Sequence, residues 1–322
     1  MSRILTIGES MVLFASCDNN EINYDLIDTT IYKKYLAGAE LNVSIGLSKL
    51  NHEVTYITKL GNDVLGKYIL DSIKNYQIDY KYITLTNDYL TGFMMKNKVD
   101  YGDPKIAYFR KNSAAANIEL SDINDLNILD YDLIYLSGIY PPLSNKSKIV
   151  FDEIFKRAKE NNIPIVFDCN IREILWDNKD EMIDTLNYYA FNSTYFVPGI
   201  KEVIELSSFK NIDDITKYYL DNGVENLIIK LGEDGAFIAN NKLKKYVRGY
   251  QVSHIVDTIG AGDGFVVGLI DGLLTTNDLL YAIKQGNAIG ALAIQSAGDN
   301  TGYPNRNELI NFMEGYKNEK IK

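Results

Sequence analysis

The segment Asp257–Phe265 places a carboxylate among small residues at the predicted start of a helix. It reads Asp-Thr-Ile-Gly-Ala-Gly-Asp-Gly-Phe, and the apolar run Phe265–Ile270 continues from it. Backbone N–H groups at a helix start bind anions, and the helix dipole adds partial positive charge there. Three residues would supply these donors: Gly260, Ala261 and Gly262. With Asp263 as a base beside them, the arrangement suits transfer of a phosphoryl group to a hydroxyl.

The same residues also allow simpler interpretations. A Gly-rich turn followed by an acidic residue at a helix start would need no chemistry, because helix ends favour such residues anyway. An aspartate at this position should remain ionised at neutral pH, so we expect Asp263 to be a weak base that takes its proton late. Just before the segment, Ser253–Val256 has the residue types of a strand.

The composition is that of an ordinary globular enzyme with an acidic balance. The chain has 322 residues, 46% of them hydrophobic and 24% charged, which suits one large domain. The formal net charge of −10 disfavours nucleic acid or an anionic membrane as a partner. Two cysteines and two histidines are too few for a Cys/His metal site or a disulfide framework. Signal-peptide and membrane-spanning patterns are absent from the sequence, so we expect a cytoplasmic protein.

Short apolar runs alternate with segments of helical periodicity. This alternation predicts an α/β domain in which a mostly parallel sheet is flanked by helices. The predicted strands are Ile4–Ile7, Val54–Thr58, Leu133–Leu136, Ile163–Phe167, Tyr195–Val197 and Leu227–Leu231. The predicted helices are Leu41–Leu50, Leu65–Asn75, Lys146–Asn161, Ile212–Asn222 and Ala282–Ser296. Ligands bind beyond the carboxyl ends of such strands, where Asp168, Asn170 and Gly232–Gly235 lie.

Two stretches break this alternation and predict a small separate β-sheet. Met11–Tyr35 is rich in β-branched and aromatic residues and has no long helical pattern. Thr91–Val99 and Lys105–Lys111 flank the turn-forming segment Asp100–Pro104, as the strands of a hairpin would. An edge extension of the main sheet is the alternative.

The predicted organisation is a single domain over residues 1–322. In this interpretation a small β-sheet lid is formed by about residues 11–35 and 91–112. Exposed β-surface on such a lid favours self-association, so we expect a homo-oligomer.

Five motifs occur in the order found in the ribokinase-type (PfkB) carbohydrate kinases. They are Gly38–Ser44, Leu60–Gly66, Asp168–Arg172, Lys230–Ala236 and Asp257–Phe265. The chain resembles this family over essentially its whole length, and the first and last motifs match the family's two signatures. The resemblance implies a ribokinase-like fold and an ATP-dependent sugar kinase.

Within the family, three details are similar to the 2-keto-3-deoxygluconate kinases. They are Gly8-Glu9 in the first strand, Tyr108-x-Arg110 on the predicted hairpin and Asp168-x-Asn170-x-Arg172. The resemblance implies that Arg110 and Arg172 face a sugar acid, which is converted to its 6-phosphate. The planar fork of arginine suits a carboxylate well. The alternative is that both arginines form surface ion pairs, which contribute little to the stability of the protein.

The resemblance also implies roles for individual residues. Asp263 accepts the proton of the attacking hydroxyl, while the backbone of Gly260, Ala261 and Gly262 holds the charge of the transferred group. The implied acceptor-binding residues are Gly38, Asn42, Tyr108, Arg110, Arg172, Asp263 and Asp299. The implied ATP-binding residues are Asn170, Lys230, Gly232, Gly235, Gly260, Gly262 and Asn287. The sequence has no Walker A pattern, so phosphate binding does not follow that scheme.

Two metal ions are further implications of the resemblance. Of the family's Asn-x-x-Glu motif for Mg²⁺, only Glu202 is present, because Gly199 stands in the place of the asparagine. Mg²⁺ often keeps most of its water shell, so this change weakens the assignment of Glu202 rather than the requirement for the metal. A monovalent cation such as K⁺ is implied beside Asp257.

Other functions compatible with these motifs stay open at this point. Kinases of fructose, ribose, a nucleoside or 5-keto-2-deoxygluconate would share the chemistry and differ in the acceptor. Two buried guanidinium groups suit a carboxylate better than a neutral sugar. A kinase-like fold could also bind a metabolite without turnover. A dinucleotide-binding oxidoreductase would need G-x-G-x-x-G after the first strand, where only Gly8 occurs.

Overall fold

Thirteen strands and nine α-helices make up the described part of the chain. The computed structural model describes residues 1–100, 104–296 and 298–319, with side chains as far as residue 316. The strands are β1 (Arg3–Ile7), β2 (Met11–Ser16), β3 (Tyr32–Ala37), β4 (Glu53–Gly61), β5 (Ile83–Thr86), β6 (Phe93–Lys96), β7 (Ile106–Phe109), β8 (Leu133–Ser137), β9 (Ile165–Asp168), β10 (Tyr195–Phe196), β11 (Asn226–Lys230), β12 (Ala236–Asn240) and β13 (Lys244–Val247). The helices are α1 (Ala39–Lys49), α2 (Val64–Asn75), α3 (Asn145–Glu160), α4 (Lys179–Phe191), α5 (Ile200–Ser207), α6 (Ile212–Asp221), α7 (Ala261–Thr276), α8 (Leu279–Ala293) and α9 (Arg306–Glu319).

Nine strands form the main sheet, in the order β13-β12-β11-β10-β9-β8-β1-β4-β5. The strands from β11 to β5 in this order are parallel, whereas β12 and β13 pair antiparallel at one edge. Helices cover both faces, so neighbouring residues of one strand enter different cores: Ile4 packs in one and Leu5 in the other. The predicted mostly parallel sheet is therefore confirmed, and all five predicted helices are present.

The structure corrects the sequence-based elements in two places. Ser253–Val256, predicted as strand-like, is an irregular loop. The N–H of Val256 donates a 2.8 Å hydrogen bond to the carbonyl of Ile294, beyond α8, and no strand pairing forms there. Helices α4, α5 and α9 were not predicted. α5 has only eight residues, and α4 begins with three charged residues after its cap, Asn178, so apolar periodicity in both is short.

A second sheet has four strands in the order β3-β2-β6-β7. β2 pairs antiparallel with β3 and parallel with β6, and β6 and β7 form an antiparallel hairpin. The predicted small sheet is thus separate from the main one, rather than an edge extension of it. The centre of the predicted turn, residues 101–103, lies outside the described residues.

The small sheet also carries exposed apolar side chains. Ile27, in the β2–β3 connection, and Phe109, at the end of β7, are both at least half exposed. Self-association through this surface stays a prediction. Within the described ranges, no helix has both the length and the apolar character needed to cross a bilayer.

Candidate active site

Two adjoining cavities lie at the carboxyl ends of the central strands. The first, of about 640 Å³, lies beneath the small sheet, and we call it the lid cavity. The second, of about 470 Å³, lies against α7 and α8, and we call it the helix cavity. Both are lined by Lys230, Thr258 and Gly262, so their junction is at the start of α7.

The structure brings most of the predicted site residues to these cavities. All seven predicted acceptor-binding residues line the lid cavity: Gly38, Asn42, Tyr108, Arg110, Arg172, Asp263 and Asp299. Five predicted ATP-binding residues line the helix cavity: Lys230, Gly232, Gly235, Gly262 and Asn287. The other two, Asn170 and Gly260, line the lid cavity instead. Asp257 lines neither cavity.

The turn before α7 depends on Gly260. Its φ of +82° is a backbone conformation that other residues rarely adopt, and an added Cβ would lie 1.9 Å from the carbonyl oxygen of Asp299. The first N–H groups of α7 have no partner within the helix, and the residues at this helix start, Gly260, Ala261 and Gly262, line one or both cavities. The N–H of Ala261 makes only a long 3.4 Å bond to the carbonyl of Thr258. This helix start can therefore receive an anion.

Asp263 lies at the floor of the lid cavity, in the first turn of α7. Its Oδ2 accepts a 2.8 Å hydrogen bond from Nδ2 of Asn42, on α1. The pKa of Asp263 is raised to about 7, mainly because of burial and also because of the negative charge of Asp168, while the bond from Asn42 acts in the opposite direction. The expectation of a carboxylate that is fully ionised at neutral pH was therefore wrong, because burial outweighs the helix start. Asp263 is a stronger base than predicted.

Asp299 is a second carboxylate in the lid cavity. It is buried, and its Oδ1 has no hydrogen-bond partner among the described residues. Burial raises the pKa of Asp299 to about 6, and the charge of Lys96 acts in the opposite direction. A buried oxygen without a partner in a polar cavity is suited to accept a hydrogen bond from a ligand hydroxyl.

The two arginines of the lid cavity have different surroundings. Arg110 is buried, and its Nη2 lies 2.5 Å from Oε2 of Glu9. Ser113 donates a hydrogen bond to the other oxygen of Glu9. Arg172 is exposed, and its Nη1 donates a 2.8 Å bond to the carbonyl of Ile171. Arg110 is therefore already paired, whereas the charge of Arg172 is available to a ligand.

Lys230 brings a positive charge to the cavity junction. Its Nζ donates a 2.7 Å hydrogen bond to Oδ1 of Asp168, a fully buried residue at the end of β9. Burial alone would lower the pKa of Lys230, but the carboxylates of Asp168 and Glu202 raise it above its ordinary value. Lys230 therefore stays charged beside the first turn of α7.

Glu202 has both carboxylate oxygens engaged in backbone hydrogen bonds. Its Oε1 accepts a 2.7 Å bond from the N–H of Ile171, and its Oε2 accepts a 2.6 Å bond from the N–H of Gly199. No cluster of three or more metal-ligating side chains occurs in the part of the chain that the structure describes. Glu202 would therefore fit a Mg²⁺ ion that keeps its water shell, rather than an ion coordinated directly by several protein side chains.

The lining of the helix cavity is mostly apolar and includes several glycines. Its apolar lining comes from Val252, Ile255, Phe265, Ala291 and Ile294. Asn287 supplies a polar group, and its Nδ2 is engaged by the carbonyls of Val247 and Arg248. A cavity with a mostly apolar lining suits a flat heteroaromatic ring.

Asp257, implied to hold a monovalent cation, is already paired with a lysine. Its Oδ2 accepts a 2.6 Å hydrogen bond from Nζ of Lys96, on β6, and its Oδ1 accepts one from the N–H of Ile259. An added cation does not fit this carboxylate as it stands. Lys96 was not predicted as a site residue. Its signal was the alternation of β6, which places it on the same buried face as Met94.

The chain is similar to known proteins over almost its whole length. The family model described as pfkB family carbohydrate kinase matches residues 1–306. A 2-dehydro-3-deoxygluconokinase from Bacillus subtilis (strain 168) is 36% identical over 314 residues, which cover 97% of this chain and 96% of that protein.

Solved structures show the same similarity. A PfkB protein from Polaromonas sp. JS666 has a TM-score of 0.87 and 30% identity, covering 96% of this chain and 99% of the other. A ribokinase II from E. coli in complex with ATP and Mg²⁺ has a TM-score of 0.90 and 25% identity, covering 98% of this chain and 100% of the other. The chain belongs to the pfkB family of carbohydrate kinases.

Proposed function

We propose that this kinase transfers the γ-phosphoryl group of ATP to a hydroxyl of a sugar acid, with 2-keto-3-deoxygluconate as the acceptor and its 6-phosphate as the product. The observation that carries this proposal is the position of Asp263, which lies in one cavity with Arg172 and next to a helix start that opens into a second, apolar cavity. The similarity to the Bacillus subtilis 2-dehydro-3-deoxygluconokinase supports this acceptor.

In this proposal Asp263 is the general base. Asp263 lines the lid cavity; its Oδ2 is held by Asn42, and no hydrogen bond to its Oδ1 is found among the described residues. The acceptor hydroxyl gives its proton to Oδ1 as its oxygen bonds to the γ-phosphorus and the bond to the β-phosphate oxygen breaks. A base with a pKa near the working pH is well matched to this transfer.

The cavity junction supports the nucleotide and the transferred group. The adenine and the ribose of ATP occupy the helix cavity, and the phosphates extend past Gly262 and Lys230 into the lid cavity. The N–H groups of Gly260, Ala261 and Gly262 stabilise the charge on the transferred phosphoryl group. Mg²⁺ bound with ATP would neutralise charge on the phosphates, and Glu202, which lines the lid cavity, would orient its water shell.

The lid cavity recognises the acceptor both by charge and by hydrogen bonds. Arg172 contributes the positive charge that the sugar carboxylate needs, and Tyr108 lies beside Arg110 at the same side of the cavity. Asp299 and Asn42 supply groups for the sugar hydroxyls. The small sheet closes this cavity from above through Met11, Met94 and Ile106, which is the proposed role of a lid.

A neutral sugar is the second candidate acceptor, and one observation favours it. Arg110 is neutralised by Glu9, so the cavity has one uncommitted guanidinium group rather than the two that were expected. Fructose and ribose are the simplest acceptors of this kind.

A substrate panel tests the proposal. We expect kcat/KM to be highest for 2-keto-3-deoxygluconate, lower for 5-keto-2-deoxygluconate, and about tenfold to a hundredfold lower for fructose and ribose, because a hydrogen bond from a charged group such as Arg172 contributes about 1.5–3 kcal/mol. The 6-phosphate is identified by mass spectrometry and ³¹P NMR. Equal or higher kcat/KM with fructose would transfer the assignment to a neutral-sugar kinase.

A further inference from the structure

We infer that the ammonium group of Lys96 takes the place of a bound monovalent cation. It positions the turn at Gly260 before α7, so the enzyme needs no added monovalent cation. The inference rests on the kinase activity but on no particular acceptor. Lys96 lines neither cavity, so it acts as a positioning residue through Asp257 and not by contact with substrate.

The first supporting observation is the burial of Lys96. Lys96 is only 6% exposed, and its Nζ lies 2.6 Å from Oδ2 of Asp257. Burying a lysine is costly unless its ammonium finds a partner, and the partner chosen here lies in the loop that leads into α7. Two other lysines near this sheet, Lys98 and Lys105, are bonded to partners in more exposed surroundings.

The second observation is that the turn depends on this pair and on a few further contacts. The N–H groups of Val256 and Asp257 both donate to the carbonyl of Ile294, and Oδ1 of Asp257 accepts from Ile259. At the other end of the loop, the hydroxyl of Tyr303 donates a 2.8 Å bond to the carbonyl of Gly260. Lys96 is thus the cationic member of the group of contacts that fixes the loop before the helix start.

The third observation concerns the neighbouring carboxylate. Asp299 lies close enough to the pair for the charges of Lys96 and Asp257 to act on it in opposite directions. Asp299 is buried and Asp257 is partly buried, so a positive charge beside them is favourable, and the ammonium group of Lys96 supplies it without an ion from solution. The same ion pair links β6 of the small sheet to the loop before α7.

The test compares cations at matched ionic strength in the wild-type enzyme and in Lys96→Ala. We expect the wild-type rate and melting temperature to be the same in potassium, sodium and tetramethylammonium chloride. In tetramethylammonium chloride, Lys96→Ala should lose roughly tenfold to a hundredfold in kcat/KM, because a small misplacement of the site has effects of this size. Ammonium or potassium should restore much of that loss and raise the melting temperature of the variant, since a bound ion stabilises the folded state.

Two further variants complete the design. Lys105→Ala removes an exposed lysine–aspartate pair beside the same sheet and should show no cation effect. Lys96→Arg keeps the charge and should stay independent of cations. If Lys96→Ala does not fold, the wild-type and Lys96→Arg series still decide the matter.

A wild-type rate or melting temperature that rises with potassium but not with tetramethylammonium would overturn the inference. So would a Lys96→Ala enzyme with full activity in tetramethylammonium chloride. The melting series needs no acceptor, so a wrong acceptor assignment fails in the substrate panel and leaves this test intact.

Discussion

The side-chain amide of Asn42 donates a 2.8 Å hydrogen bond to the carboxylate of Asp263, and so connects α1 to the first turn of α7. Asn42 is itself oriented, because its Oδ1 accepts a 2.7 Å bond from Nδ2 of Asn300. Since the bond to Asp263 stabilises the ionised carboxylate, it lowers a pKa that burial has raised. The pair therefore reduces the basicity that burial gives to the proposed catalytic group.

The first prediction concerns the pH dependence of turnover. The active form of Asp263 is the ionised one, so kcat should rise with pH around a midpoint of about 7. In Asn42→Ala the bond that lowers the pKa is lost, and the midpoint should move to higher pH. We would measure kcat at saturating substrates across this range, with the surface variant Asn161→Ala as control. A wild-type profile that is flat through pH 7 would contradict the prediction.

The second prediction concerns Arg172. Replacing it with alanine should raise KM for a sugar acid about tenfold to a hundredfold, because a hydrogen bond to a charged group contributes about 1.5–3 kcal/mol. KM for fructose should not change, since fructose has no carboxylate. Arg3→Ala, which removes an exposed ion pair with Glu53, is the matched control. An equal effect on acid and neutral acceptors would show that Arg172 does not read the carboxylate.

The third prediction tests the cavity junction at Gly262. An added Cβ would have only Nζ of Lys230, at 3.7 Å, as a near neighbour, so Gly262→Ala should fold normally. The new methyl group would nevertheless stand where the phosphates pass, and kcat/KM for ATP should fall about tenfold or more. Gly315→Ala, on α9, places a methyl group in open space and should change nothing. If Gly262→Ala keeps normal ATP kinetics, the phosphates do not cross this junction.

The fourth prediction concerns stability. Asp271 on α7 is fully buried and accepts hydrogen bonds from His52, Gln285 and Arg306. Asp271→Asn should destabilise the protein by roughly 3 kcal/mol, because it leaves buried donors without their charged partner. For a chain of this size the melting temperature should fall by about 4 °C. The exposed Asp221→Asn on α6 is the control.

This stability difference should depend on pH in a defined direction. Burial raises the pKa of Asp271, but the bonds from His52 and Arg306 lower it below its ordinary value. The stabilisation is therefore present above the unfolded-state pKa and is lost as the pH falls through the folded-state value. The melting temperatures of wild type and Asp271→Asn should converge in acid, and a difference that widens there would contradict the assignment.

Local patterns were enough to predict most of the fold, and the family resemblance implied many of the residues that line the two cavities. The family resemblance carried by Gly38–Ser44 and Asp257–Phe265 is confirmed. It could be recognised because each of these motifs is one short segment of the sequence. The parallel sheet was also predictable, since its strands are apolar on both faces. α4 was missed because its first turn is charged and its buried residues begin only at Met182.

Contacts between distant segments could not be predicted in this way. The pairs Arg110–Glu9 and Lys96–Asp257 join residues that only the folded small sheet brings together. Without them, Arg110 was expected to face the sugar acid, and a monovalent cation was implied beside Asp257. The pKa of Asp263 was missed for a related reason, since its burial comes from elements that lie far from α7 in sequence.

The most direct test of the central claim is turnover by Asp263→Asn with 2-keto-3-deoxygluconate and ATP. We predict that kcat falls by about a thousandfold, within the range for loss of a general base, while calorimetric Kd values for both ligands stay close to those of the wild type. A variant that retains a rate within about tenfold of wild type would show that another group accepts the proton, and the account of this site would be wrong.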